Sequence, residues 1–172
     1  MHIKKSMSEL GRKSPEEAKI AQKHPIIVIL DDVRSMHNVG SAFRTCDAFG
    51  AEAIYLCGYT PTPPHRDIHK TALGAEDSVK WQHFATTMEA IDHVKKQGYI
   101  VYAIEQAHNS ISLNELNYNS EKIALVFGNE VTGVNEEAIK LSDACIEIPQ
   151  YGAKHSLNIS VSIGVVLWEL VR

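Results

Sequence analysis

The chain reads as an α/β domain with a mostly parallel sheet flanked by helices. Three observations predict it. The short apolar runs lack the polar alternation of a half-exposed sheet, as in strands covered on both faces. They alternate with segments that carry helix caps and glycine stops. The 172 residues suffice for one complete core and are short for two.

Residues 1–25 are expected to be a basic amino-terminal arm with a short helix, and residues 26–172 the folded domain. Lys4, Lys5, Arg12 and Lys13 give the arm charge without periodicity. Ser14-Pro15-Glu16-Glu17 predicts a helix start: Ser14 caps, Pro15 fits the first helical position and Glu17 closes a capping box. His24-Pro25 ends that helix, because the residue before proline avoids the helical basin. Ile26 to Leu30 is uniformly apolar and predicts a buried strand. A helix follows from Val39 to Phe49, stopped by Gly50, then a second strand from Ala53 to Cys57. Gly58 to Ser78 is rich in Pro, Gly and Thr, carries His65, Arg66, His69 and Lys70, and reads as a long loop of the kind that is functional or mobile. Thr86 or Thr87 caps a helix reaching Gln97, with Gly98 as its stop. Ile100–Ile104, Ile123–Phe127 and Cys145–Ile148 are further strands, with a short helix from Asn135 to Leu141 between the last two. Residues 157–171 form the closing helix, with Leu157, Val161, Gly164, Val165, Leu167 and Trp168 supplying an apolar side.

Composition narrows the function classes. Apolar and charged fractions of 44% and 22% are those of an ordinary globular domain. No apolar run can span a bilayer, and Met1-His2-Ile3-Lys4-Lys5 leads into polar residues rather than a secretory core. Cys46, Cys57 and Cys145 are widely spaced in apolar contexts, which suits buried free thiols in a reducing cytoplasm. The histidines do not pair at metal-ligand spacings, and Asp31-Asp32 reads as a solvated strand end, so no metal is expected. With a net charge of −4, any phosphate-binding surface must be a local patch. Neither a phosphate loop nor a dinucleotide fingerprint is present.

Three motifs place glycines and uncharged polar groups just after apolar runs, where α/β proteins build ligand sites. The first is Asn38-Val39-Gly40-Ser41-Ala42-Phe43-Arg44. Asn38 and Gly40 are expected at a helix start, where free N–H groups favour anions. Arg44 lies a turn further on and can hold phosphate with its planar fork; the plainer reading is a capping asparagine and a solvated arginine. The second is Leu125-Val126-Phe127-Gly128-Asn129-Glu130, in which Gly128 permits close backbone approach and Glu130 is a carboxylate near a site, or simply a turn acid. The third is Ile148-Pro149-Gln150-Tyr151-Gly152 running into Ser156-Leu157-Asn158-Ile159-Ser160, with Lys154 and His155 between. Ser156 opens the closing helix there, and Asn158 and Ser160 interrupt its apolar course. Buried polar groups need partners, which points to a ligand or a crossing backbone.

From about Ile26 to Arg172, the order and spacing of these motifs resemble the SpoU/TrmH class of SPOUT RNA 2′-O-methyltransferases. The resemblance implies an α/β fold with a carboxyl-terminal trefoil knot, S-adenosylmethionine as methyl donor, tRNA or rRNA as substrate with tRNA favoured, and a homodimer with its site near the subunit interface. By position it implies that Ile104, Glu105, Gly128, Asn129, Ile148 and Leu157 hold the cofactor. Asn38, Arg44, Glu130, Ser156 and Asn158 match the polar active-site positions. The chain departs from many relatives at Val131, where glycine follows the acid, and at Gln150, where methionine follows the proline. A separate amino-terminal RNA-binding domain is not evident, so the basic arm and the His65–Lys70 segment are expected to face RNA. The rival readings are a non-catalytic RNA-binding scaffold and a nucleotide-dependent enzyme of ordinary doubly wound fold.

Overall fold

A computed structural model describes residues 2–6, 9, 11, 14, 17, 20–154 and 156–172. Met1, Arg12, Lys13, Pro15, Glu16 and His155, named above, lie outside the described residues. Ser14 and Glu17 close the expected capping box: the Ser14 N–H donates to Glu17 Oε2 at 2.7 Å, and the Glu17 N–H donates to Ser14 Oγ at 3.2 Å.

The domain runs β1 (His24–Asp31), α1 (Met36–Ala48), β2 (Ala51–Cys57), α2 (Arg66–Ala72), α3 (Ala75–Ser78), β3 (Lys80–Phe84), α4 (Thr87–Lys96), β4 (Ile100–Ile104) and β5 (Ile111–Ser112). It continues through β6 (Ile123–Phe127), α5 (Glu136–Leu141) and β7 (Ala144–Glu147) to α6 (Ile159–Val171). The strands form one seven-stranded sheet, ordered β3-β2-β1-β6-β4-β7-β5. All its pairings are parallel.

The apolar runs follow from this arrangement. Ile26, Val28 and Leu30 of β1 pack with Phe43, Ile68, Ile163 and Leu167 beneath α1, α2 and α6. Ile27 and Ile29 pack on the other face with Ile91, Val94 and Ala138 beneath α4 and α5. A strand covered on both faces has no position left for a solvated residue. Each such side chain stabilises the fold by about 1.5–3 kcal/mol relative to exposure.

The structure differs from the sequence reading at several points. Helix α1 begins at Met36 rather than Val39, because Ser35 is its cap and its Oγ accepts from the Asn38 N–H at 3.3 Å. Residues 58–78 are not one loop. They contain α2, capped by His65 through Nδ1 accepting the Asp67 N–H at 3.1 Å, and α3. Strand β3 lies within a stretch with no expected strand and forms one sheet edge. Asp31 is no solvated strand end; it is 3% exposed. Its Oδ1 accepts from Thr87 Oγ1 and its Oδ2 accepts from the Asn135 N–H at 2.7 Å, so it ties the starts of α4 and α5 to the end of β1.

The path of the last third of the chain sets up the site. Strand β7 lies between β4 and β5. The helix before it, α5, packs on one face through Ala138 and Ile139. The helix after it, α6, packs on the opposite face, together with Leu113, Leu116 and Tyr118 of the β4–β6 connection. The chain therefore changes faces at β7, and Ile148, Gln150, Ser156, Leu157 and Asn158 then line the cavity at the carboxyl ends of β4 and β6, with Asn158 reaching Asn38 of α1.

Candidate cofactor and catalytic site

The turns after β4, β6 and β7 converge on one cavity of about 610 Å³ at the carboxyl end of the sheet. It is lined by Ile104 and Glu105 from the first turn, Gly128, Asn129 and Glu130 from the second, and Ile148, Ser156, Leu157 and Asn158 from the third. All six expected cofactor positions are thus brought together, with three of the five expected catalytic ones.

The second turn is a small built object. The Asn129 N–H donates to the Gly133 carbonyl at 3.2 Å, and the Gly133 N–H returns to the Asn129 carbonyl at 3.1 Å. Asn129 Oδ1 accepts from the N–H groups of Val131 and Thr132, both at 3.0 Å. Asn129 therefore shapes the turn from within. Gly128 is required by that turn: a Cβ there would lie 1.9 Å from the Gly133 carbonyl carbon. Its small size admits protein backbone rather than leaving a gap for a ligand. Glu105 braces the same turn, its Oε2 accepting from the Val134 N–H at 3.0 Å. Asp31, through Asn135, anchors the far end. Sequence reasoning missed Asp31, although an acid closing a wholly apolar strand is the available signal.

Glu130 is presented from this turn and joins a polar network. Asn38 Nδ2 donates to Glu130 Oε1, and Asn158 Nδ2 donates to Asn38 Oδ1 at 3.2 Å. Asn158 Oδ1 accepts from the Ser160 N–H at 2.9 Å and from Ser160 Oγ at 2.6 Å. Asn158, not Ser156, is therefore the cap of α6. Capping and contact with the first motif are one arrangement, since the two ends of the amide do different work.

Gly40 does not greet an anion. It is buried against α2, where a Cβ would lie 2.1 Å from Thr71 Oγ1 and 2.3 Å from the Ile68 carbonyl oxygen. Arg44 does not line the cavity. It is exposed on α1, beside Thr45, whose methyl faces Gly164 of α6. His65, Arg66, His69 and Lys70 belong to α2 and its cap, outside the cavity lining. Lining residues that the sequence reading did not single out include Gln106, Thr132 and Ser162.

Among the described lining residues, Glu105 and Glu130 are the only charged side chains. Apolar Ile104, Phe127, Ile148 and Leu157 supply walls. Such a pocket suits a small ligand with an apolar body and positive charge, and its volume is within the roughly 300–1,000 Å³ usual for small-molecule sites.

Comparison with known proteins gives one family. The sequence pattern of the SpoU rRNA Methylase family matches residues 25–168. A tRNA (guanosine(18)-2′-O)-methyltransferase of Thermus thermophilus is 33% identical over 168 residues, 96% of this chain and 84% of that protein. The fold is similar to an AdoMet-bound rRNA methyltransferase from Sinorhizobium meliloti, with a TM-score of 0.80 and 32% identity over 87% of this chain and 56% of that one. It is also similar to the A. aeolicus TrmH/SpoU tRNA modifying enzyme, with a TM-score of 0.78 and 29% identity over 91% of this chain and 78% of that one. The chain thus spans most of the Thermus relative and just over half of the Sinorhizobium chain.

Proposed function

The chain belongs to the SpoU rRNA methylase family, and on that premise we propose that it is an S-adenosylmethionine-dependent methyltransferase acting on a ribose 2′-hydroxyl of tRNA or rRNA. The observation that carries the reading is the convergence of three turns on one cavity whose rim holds the Asn38–Glu130–Asn158 network. tRNA is favoured, because the Thermus and Aquifex relatives are described by action on tRNA.

S-adenosylmethionine fits the residues present. Ile104, Ile148 and Leu157 would flank its apolar parts, and the two carboxylates suit its cationic sulfonium. When bound, it supplies an electrophilic methyl group. The protein's own contribution is alignment and exclusion of water, and aligning reactants is worth about 7–11 kcal/mol at best. Asn38, held by Glu130 on one side and Asn158 on the other, is the fixed point against which a ribose is oriented. Ser156 adds a hydroxyl to the cavity wall. Guanidinium groups keep their proton in proteins, so the role proposed for Arg44 is electrostatic: it holds RNA phosphate and stabilises negative charge developing on the ribose oxygen.

A homodimer belongs to this proposal. Val161, Val165 and Trp168 stand 50%, 38% and 58% exposed along one side of α6, opposite the side that enters the core. Arg44 on neighbouring α1 would then reach a site completed across the interface. The trefoil knot is likewise proposed, supported by the change of faces at β7 and the contact of Asn158, beyond that strand, with Asn38 of α1.

Calorimetric titration with S-adenosylmethionine tests the reading. The protein is expected to bind it with one site per chain. Failure to bind would favour a non-catalytic RNA-binding scaffold, and binding of NAD or ATP instead would favour a nucleotide-dependent enzyme.

A further inference from the structure

We infer that Tyr59 and Arg34 form a stacking platform for the RNA base that neighbours the methylated nucleotide, an inference that rests on the RNA-directed function proposed above. Tyr59 is 79% exposed, in the loop that follows β2. An aromatic ring in water is ordinary on a mobile loop, but the backbone that carries this one is fixed at several points. Its N–H donates to Asp32 Oδ1 at 2.8 Å. The next residue, Thr60, is buried; its Oγ1 accepts from the Val33 N–H at 3.0 Å and donates to the Leu30 carbonyl at 3.3 Å. The loops after β1 and β2 are thereby welded together, with the ring outermost.

Arg34 completes the arrangement. Its guanidinium carbon lies 5.6 Å from the Tyr59 ring centroid. No carboxylate pairs with Arg34 among the described residues. The cation is therefore free to meet a phosphate or a base face while touching the ring. Single-stranded RNA is recognised in this way, by unstacked bases laid on aromatic and guanidinium planes.

Placement supplies the rest. Arg34 precedes Ser35, the cap of α1, and Asn38 lies in the first turn of that helix. The platform thus stands on the β1 and β2 side of Asn38, while the cofactor cavity occupies the β4, β6 and β7 side. A ribose oriented by Asn38 has its donor on one side and its neighbouring nucleotide over Tyr59 on the other.

Steady-state methylation of unmodified tRNA and rRNA with labelled S-adenosylmethionine tests the platform. Tyr59→Ala is expected to raise KM for RNA roughly ten- to a hundredfold, the usual worth of a stacked base, with kcat within about twofold. Cofactor affinity and the unfolding midpoint should match wild type. Tyr59→Phe and Tyr59→Trp keep a stacking face and should keep KM. Arg34→Ala should raise KM and lower the salt slope of RNA binding by about one. An unchanged KM in Tyr59→Ala, or a Tyr59→Trp variant as impaired as the alanine, overturns the platform. A wild-type protein that methylates neither RNA overturns the proposed function itself, and the platform with it, so the two failures are distinct.

Discussion

Asn38 makes three contacts with three different parts of the chain: its N–H with the Ser35 cap, its amide nitrogen with Glu130 and its amide oxygen with Asn158. Replacing it with alanine should lower methyl transfer roughly a hundredfold, the typical cost of removing one preorganised polar group. S-adenosylmethionine affinity, read by calorimetry, should change little. A variant with normal turnover would remove Asn38 from the chemistry. Arg44→Ala should likewise abolish transfer while sparing cofactor binding, and lysine at the position should rescue poorly because a point charge cannot reproduce a fork. Gly40→Ala has a different expected outcome. The added methyl meets Thr71 and the Ile68 carbonyl, and overpacking of this kind costs about 1–3 kcal/mol, read as a lower midpoint in denaturant. The residue types of the site were legible in the three motifs. Their partnerships were not, because Asn38 meets Glu130 and Asn158 across 92 and 120 positions of sequence. Nor was the purpose of Gly40 and Gly128, since a glycine required by protein backbone looks the same in sequence as one required by a ligand.

At the scale of elements, α6 carries the clearest consequence. It is apolar on nearly every side: Ile163, Val166, Leu167 and Leu170 enter the core, while Val161, Val165 and Trp168 face outward. A helix of this kind is normally covered on both sides. Val161→Asp combined with Trp168→Glu should therefore convert a dimer to a monomer in sedimentation velocity and leave the unfolding cooperative. A monomeric wild-type protein would contradict the proposed assembly. The central strands were legible from sequence, because burial on two faces leaves uninterrupted apolar runs such as Ile26 to Leu30. Strand β3 was not, because it lies at the sheet edge and spells Lys80-Trp81-Gln82-His83, with all four side chains exposed. Helices α2 and α3 were hidden for another reason: a segment dense in Pro, Gly and Thr has the composition of a loop, and tertiary packing of Ile68 and Ala72 against α1 decides otherwise.

For the molecule as a whole, burial and charge set the terms. The thiols of Cys46 and Cys57 are each pushed up to about 12, chiefly by burial. At pH 8 both are held as thiols, and only the thiolate attacks a disulfide reagent. Neither should react with such a reagent in the folded protein, and all three cysteines should react once denaturant is added. Rapid reaction of three thiols in the native state would mean that the core around β2 and α1 is open. An acidic chain of net charge −4 that handles RNA must concentrate its cations locally, so its affinity should fall with salt by a small slope rather than the steep one of a basic protein. In the function proposed for this molecule, the cavity at the ends of β4, β6 and β7 delivers a methyl group to a ribose oriented by Asn38. Mass spectrometry of nucleosides from tRNA and rRNA treated with the protein and isotope-labelled S-adenosylmethionine tests it most directly. A labelled 2′-O-methyl nucleoside is expected with wild type and none with Arg44→Ala. Label on a base, or in neither RNA, would contradict it.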